Sequence, residues 1–179
     1  MSLPQDAQPA KLVISLLMND KSSLLEVAHA MMSAFGAIDM VSGWMDFDYT
    51  DYYAGEMGSP LYRRMLVFRE LIAQEALPAI KLTTNALEDR HAEAGRRSVN
   101  IDPGYLLLER CVLATGKNYT HRIFIGSGIY ADLTLIFQQG DFQTLPWTYP
   151  DYGDDQMRLF LKQARRIYAA YLRLWHSAE

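Results

Sequence analysis

Asn100, Asp102, Lys117, Arg122, Asp132 and Thr134 combine the side-chain types that bind and orient a small anion. Lysine and arginine bring charged donors, and the planar guanidinium can grip two oxygens at once. Tyr149 adds a flat ring with a polar tip, suited to the less polar part of the same ligand. Asn100, Lys117, Arg122, Asp132 and Tyr149 are therefore read as the lining of a pocket for a small ligand with an anionic group. The purely structural alternative is a cross-strand Arg122–Asp132 pair beside a helix cap at Asp102.

A second group, Asp46, Asp48, Asp51 and Glu56, has the charge for a hard cation. On a strand, Asp46 and Asp48 share a face at ~6.5–7 Å separation. Asp46, Asp48 and Asp51 thus form an enzyme alternative, a hydrolase whose metal polarises a phosphate or carbonyl. Neither the EF-hand spacing nor HExxH is present. The string Gly126-Ser127-Gly128-Ile129-Tyr130-Ala131 fits a dinucleotide fingerprint, which needs a helix directly after the glycines. Ile129, Tyr130, Thr134, Ile136 and Phe137 favour strand instead. A Ser127–His121–Asp132 triad is rejected, because no nucleophile elbow is present and the strand reading points Asp132 away from His121. The single cysteine, Cys111, excludes an intramolecular disulfide and reads as packing material. No particular cofactor is implied.

These residues need elements to position them. Lys11 to Met18 reads as a buried strand. Ser23 and Glu26 make a capping box for a helix whose stripe runs Leu24, Val27, Ala28, Met31, Met32 and Phe35 before Gly36. Strands follow over Ile38–Tyr49 and Arg64–Leu71, separated by a loop over Thr50–Pro60. Pro78 opens a second helix with Ile80, Thr84, Leu87 and His91 as its stripe, stopped at Gly95. Ser98 to Asp102 alternates as a fourth strand. The order βαββαβ is that of a ferredoxin-like split unit with a mainly antiparallel sheet. Residues 102–113 read either as a short helix capped by Asp102 or as another strand.

Tyr119–Ile125 and Ile129–Phe137 form a hairpin around Gly126-Ser127-Gly128. A three-residue loop places Arg122 opposite Asp132 and sends His121 to the apolar face with Ile123, Ile125, Ile129, Ala131, Leu133 and Leu135. A further strand follows Gly140, and Asp154 to about Trp175 is a long amphipathic helix. The expected whole is one α+β domain over 11–179 with a loose tail at 1–10.

At 179 residues the chain suits one core, and its mixed composition excludes collagen-like and wholly disordered classes. Net charge is −4, which disfavours a general nucleic-acid coat. Residues 156–175 nevertheless carry five cations and no acid, leaving −9 for the rest. No apolar run reaches the ~20 residues of a membrane span, so the expected location is the cytoplasm without membrane partners. A second copy of the chain is the alternative partner, giving a dimeric assembly module.

Several stretches together resemble one family: 46–53 (DFDYTDYY) with Glu56-Met57-Gly58, 99–105 (VNIDPGY), His121-Arg122-Ile123, Gly128-Ile129-Tyr130-Ala131 and 146–152 (PWTYPDY). The chain is similar over nearly all of 11–175 to the bacterial family catalogued as domain of unknown function 4416. The resemblance implies one intact domain and brings no reaction, ligand or catalytic residue. The family commonly has glutamate after the Gly-Ile-Tyr-Ala string, where this chain has the shorter Asp132.

Overall fold

The computed structural model describes residues 1–50, 52–93 and 96–176. In chain order the elements are β1 (Ala10–Met18), α1 (Leu24–Phe35), β2 (Ile38–Val41), β3 (Met45–Phe47), α2 (Ala54–Met57), β4 (Leu61–Ile72) and α3 (Leu77–Arg90). There follow β5 (Ala92–Glu93), β6 (Arg96–Arg97), β7 (Val99–Leu106), β8 (Arg110–Thr115), β9 (Arg122–Gly126), β10 (Ile129–Gln138), β11 (Asp141–Thr144) and α4 (Asp155–His176). β5 and β6 form a small ribbon, and the other nine strands make one antiparallel sheet in the order β11-β10-β8-β7-β1-β4-β2. β3 lies beside β4 after β2 ends, and β9 shares the outer edge of β10 with β11. This is the mainly antiparallel α+β fold, closed by a C-terminal helix, that the sequence pattern predicts. β1 is buried along its whole length because it has a partner on each side and a layer on each face.

One element differs from the sequence reading, and an open alternative is decided. The strand expected over Ile38–Tyr49 is broken into β2 and β3. Ser42 donates its N–H to Met65 O and accepts Met65 N–H at its own hydroxyl, so a side chain replaces one backbone rung. The segment after Asp102 is strand, not a capped helix. Its alternation explains this: Leu106, Cys111 and Leu113 pack toward one side, Tyr105, Leu107, Val112 and Ala114 toward the other. The Asp102 carboxylate caps nothing and accepts from Asn100 Nδ2 (2.6 Å) and Lys81 Nζ (3.3 Å).

α1 and α3 cover one face, with Val27, Met31, Ile80 and Leu87 on Leu12, Ile14, Leu16, Leu66, Phe68 and Ile101. α4 covers the other, with Met157, Phe160, Leu161 and Ala164 on Val13, Met65, Val67, Leu106, Leu113 and Leu135. Cys111 lies in that layer, and burial pushes its thiol up to about 12, so it is packing material and not a nucleophile. The basic arc of α4 is partly spent inside the molecule. Arg158 and Lys162 pair with Asp141, and Arg165 donates to Leu108 O with its guanidinium 3.7 Å from the Phe137 ring centre. Among the described residues, no helix is long and apolar enough to cross a membrane.

The face that α4 covers turns polar beyond the helix. Ser15 on β1, Arg63 on β4, Asn100 and Asp102 on β7 and Asp132 on β10 occupy it there. In this half the sheet opens: β8 pairs with β7 only from Leu106 to Gly104, and no rung joins them beyond. Gly104 marks the last close approach, since a Cβ there would stand 2.4 Å from Val112 O. Ile101 and Pro103 point their backbone groups to the open edge. The N–H that proline lacks would have had no strand to meet there. Charged ends from α3 serve the edge instead, Glu88 accepting Ile101 N–H (2.7 Å) and Lys81 donating to Ile101 O (2.9 Å).

Burial holds the Glu88 carboxyl above its ordinary value of 4.5, outweighing the pull of Lys81. The folded chain then binds that proton more tightly than the unfolded chain. Its contribution to stability is full below 4.5 and is lost as pH rises through the raised value. Glu88→Gln keeps an acceptor for Ile101 and removes the titration. In urea unfolding, wild type should lose stability relative to this variant as pH climbs above 4.5. A difference independent of pH contradicts the assignment.

Candidate functional site

Polar side chains gather where β7 and β8 part, and the hairpin supplies the first of them. Ser127 and Gly128 both have positive φ (53° and 75°), which a two-residue turn needs. The turn closes on a Gly126–Ile129 pair, and a bulge then shifts the register so that Asp132 faces Arg122. The expected cross-strand partner is thus reached by a tighter turn and a bulge rather than by a three-residue loop. Ile129 is buried with Ile125, Ala131 and Leu133 packed near it, as that register requires.

Asp132 is only 2% exposed and is held from several sides. Arg122 Nε donates to its Oδ2 at 2.9 Å, and His121 Nε2 stands 3.2 Å from the same oxygen. The other arms of Arg122 reach Lys117 O (3.0 Å) and the Tyr149 hydroxyl (2.5 Å). The position of His121 corrects the sequence reading, which sent its imidazole inward with the aliphatic residues and away from Asp132. His121 precedes β9, in the turn at Thr120-His121, so strand alternation does not govern it. Ile123, expected on the buried face, is 70% exposed because β9 is an edge strand with nothing packed over that position.

Of the five predicted lining residues, the structure joins Arg122, Asp132, Tyr149 and the backbone of Lys117 directly. The Lys117 ammonium turns outward to the Tyr52 hydroxyl (2.9 Å), and that contact holds Tyr52 below its usual value. Asn100 belongs to a neighbouring cluster and does not touch Arg122. Its Oδ1 accepts from Arg97 at 3.0 Å, while Arg97 also grips Glu56 through two bonds of 2.7 Å and Glu88 at 2.9 Å. Asp102 links the clusters through its field. Tyr149 is raised chiefly by burial, and Asp132 and Asp102 add to it. Tyr53 is raised by burial and then by Asp102.

The second contribution comes from the segment before α4, which carries Trp147 and Tyr149. A buried ion pair clamps it to the sheet, Arg63 NH2 to Asp151 Oδ2 at 3.0 Å. Thr148 Oγ1 donates to Thr134 O (2.6 Å) and Trp147 Nε1 to Leu133 O (2.8 Å). The Trp147 ring stacks on His121 at 4.9 Å and 10°. Sequence reasoning missed His121, Trp147, Tyr52 and the Lys81–Glu88–Arg97 set. Trp147 was legible within the 146–152 motif, but the charged residues of α3 and Arg97 follow no pattern that periodicity detects.

The acidic group lies elsewhere. Asp46 and Asp48 border an open depression of about 610 Å³ with Phe47, Thr50, Ala54, Pro60 and Tyr62. Glu56 is committed to Arg97, and Asp51 lies outside the described residues. Among the described residues, no three His, Cys, Asp or Glu side chains gather as a metal site.

Comparison with curated proteins and with solved structures finds no match for the chain. The family comparison does, over residues 8–168, which span β1 and every polar residue gathered beside the hairpin. The matched range includes the segments that supply Asp102, His121, Arg122, Trp147 and Tyr149, and the chain belongs to the family described as Domain of unknown function (DUF4416).

Proposed function

We propose that the cleft between β7, β9 and the Trp147–Tyr149 segment binds a small molecule with an anionic group, received by Lys117 and the outer side of Arg122. One observation carries this. Lys81, Arg97, Arg122 and Arg63 each have a carboxylate partner, whereas the hydrogen-bond partner of the Lys117 ammonium among the described residues is a tyrosine hydroxyl. A cation at a cleft mouth held by a neutral group is ready to exchange that contact for an anion. Arg122 is pre-oriented by three fixed contacts, so little is lost in ordering it.

Calorimetric titration with inorganic phosphate and ribose 5-phosphate tests the reading. Lys117→Glu should weaken binding at least about tenfold, the scale of one charge-assisted contact. Arg166→Glu, on the exposed side of α4, should leave it unchanged. Equal affinity in wild type and Lys117→Glu, or no binding to wild type, overturns the proposal.

A second reading, acid–base chemistry on the same ligand, is favoured by the His121–Asp132 contact. A carboxylate only accepts, so Nε2 donates and the lone pair stands at Nδ1, which has no protein partner among the described residues. Diethyl pyrocarbonate should then modify His121 in the native protein and do so more slowly with phosphate present. An unmodified His121 beside a modified His29 removes this reading. The order β7-β1-β4-β2, with α1 and α3 on one face, supports a ferredoxin-like first half. A single buried cysteine fits a cytoplasmic location.

A further inference from the structure

We propose that the ligand carries a flat aromatic ring as well as its anionic group, in the manner of a nucleoside monophosphate, with the base on the Trp147 and Tyr119 rings. This rests on the anion-site reading and adds the second half of the molecule. Tyr119 is 64% exposed and Trp147 38% exposed, beside the guanidinium that orients the cleft. Large rings left in water at one place mark a surface that a partner covers.

These rings are fixed, not loose. Trp147 is held by its indole N–H on Leu133 O and by His121 stacked on it, and 38% of the residue stays in water. Tyr119 sits edge-on to the same imidazole at 5.4 Å. The Arg122 guanidinium is two contacts away, through His121 and Asp132, and it donates in turn to the backbone carbonyl of Lys117. A sugar phosphate would satisfy the cation and leave the rings idle, while a nucleoside would do the reverse. A phosphate joined to a planar base uses both, with stacking that tolerates any base. The charge balance outside residues 156–175, −9, selects a single nucleotide over a polymer whose further phosphates would be repelled.

Calorimetry with AMP, GMP, CMP, UMP, ribose 5-phosphate and adenosine separates the two halves. The best nucleotide should bind at least about tenfold more tightly than ribose 5-phosphate, and adenosine should bind more weakly than AMP. Trp147→Leu should lower nucleotide affinity more than ribose 5-phosphate affinity, and so abolish the nucleotide advantage. Tyr119→Ala, at an exposed position that folding does not depend on, should reduce the advantage several-fold. If nucleotides and ribose 5-phosphate bind alike, the aromatic inference falls and the anion site stands. If none of the phosphates binds, both fall.

Discussion

Gly104→Ala should destabilise the protein by about 3 kcal/mol, at the upper end of what an overpacked methyl costs. The reason is what the methyl meets. It would stand 2.4 Å from Val112 O and 2.8 Å from the Leu113 side chain. A flexible side chain can move aside, but Val112 O belongs to the backbone of β8, which β10 holds on its far side through the Leu133–Val112 rung. Relief therefore requires β8 to leave β7 at the one end where the two still pair. For a chain of this length the loss corresponds to a fall of about 6–12 °C in the melting temperature. Gly116→Ala is the control, since nothing lies within 4 Å of its added carbon, and it should change stability by less than about 0.5 kcal/mol. A Gly104→Ala variant that melts with wild type would mean that the strands part without needing this close approach.

Asp151→Ala should cost as much or more, about 3–5 kcal/mol, because it strands a buried guanidinium. The Arg63 and Asp151 side chains are 6% and 8% exposed. Besides that ion pair, Arg63 NH1 donates to Ser15 Oγ at 2.5 Å, and Nε has no hydrogen-bond partner among the described residues. The double variant Arg63→Met, Asp151→Leu removes both charges while keeping volume. It should recover most of the loss, since an apolar pair of similar size avoids desolvation altogether. Chemical denaturation of Arg63→Met, Asp151→Leu and the double variant, beside Asp151→Ala, decides the matter. Additive losses in the double variant would show that the residues act independently and that the pair does not clamp the Trp147–Tyr149 segment.

How much of this was legible depends on what each residue answers to. The buried β1, the helices α1 and α4 and the facing of Arg122 and Asp132 follow from periodicity and turn chemistry, which the sequence carries locally. Residues 102–113 stayed open between helix and strand because Leu106, Val112 and their neighbours fit either period. Pairing with β1 and β10 settles it, and that pairing is remote in sequence. His121 was misplaced for a related reason: alternation was extended one residue past the strand, into a turn that obeys different geometry. At the site, Arg122, Asp132 and Tyr149 were recognisable by type. Lys81, Glu88 and Arg97 were not, because their role is to serve an open sheet edge that exists only once β8 has turned away.

The central claim is that this cleft receives an anion, and chemical-shift mapping with inorganic phosphate tests it most directly. Saturable shifts should appear at the Lys117 and Arg122 backbone amides, at the Arg122 Nε–H and at the Trp147 indole N–H, while the amides of Arg158 to Arg166 stay still. Shifts confined to that basic face of α4, or no saturable shift at the cleft, would contradict the account.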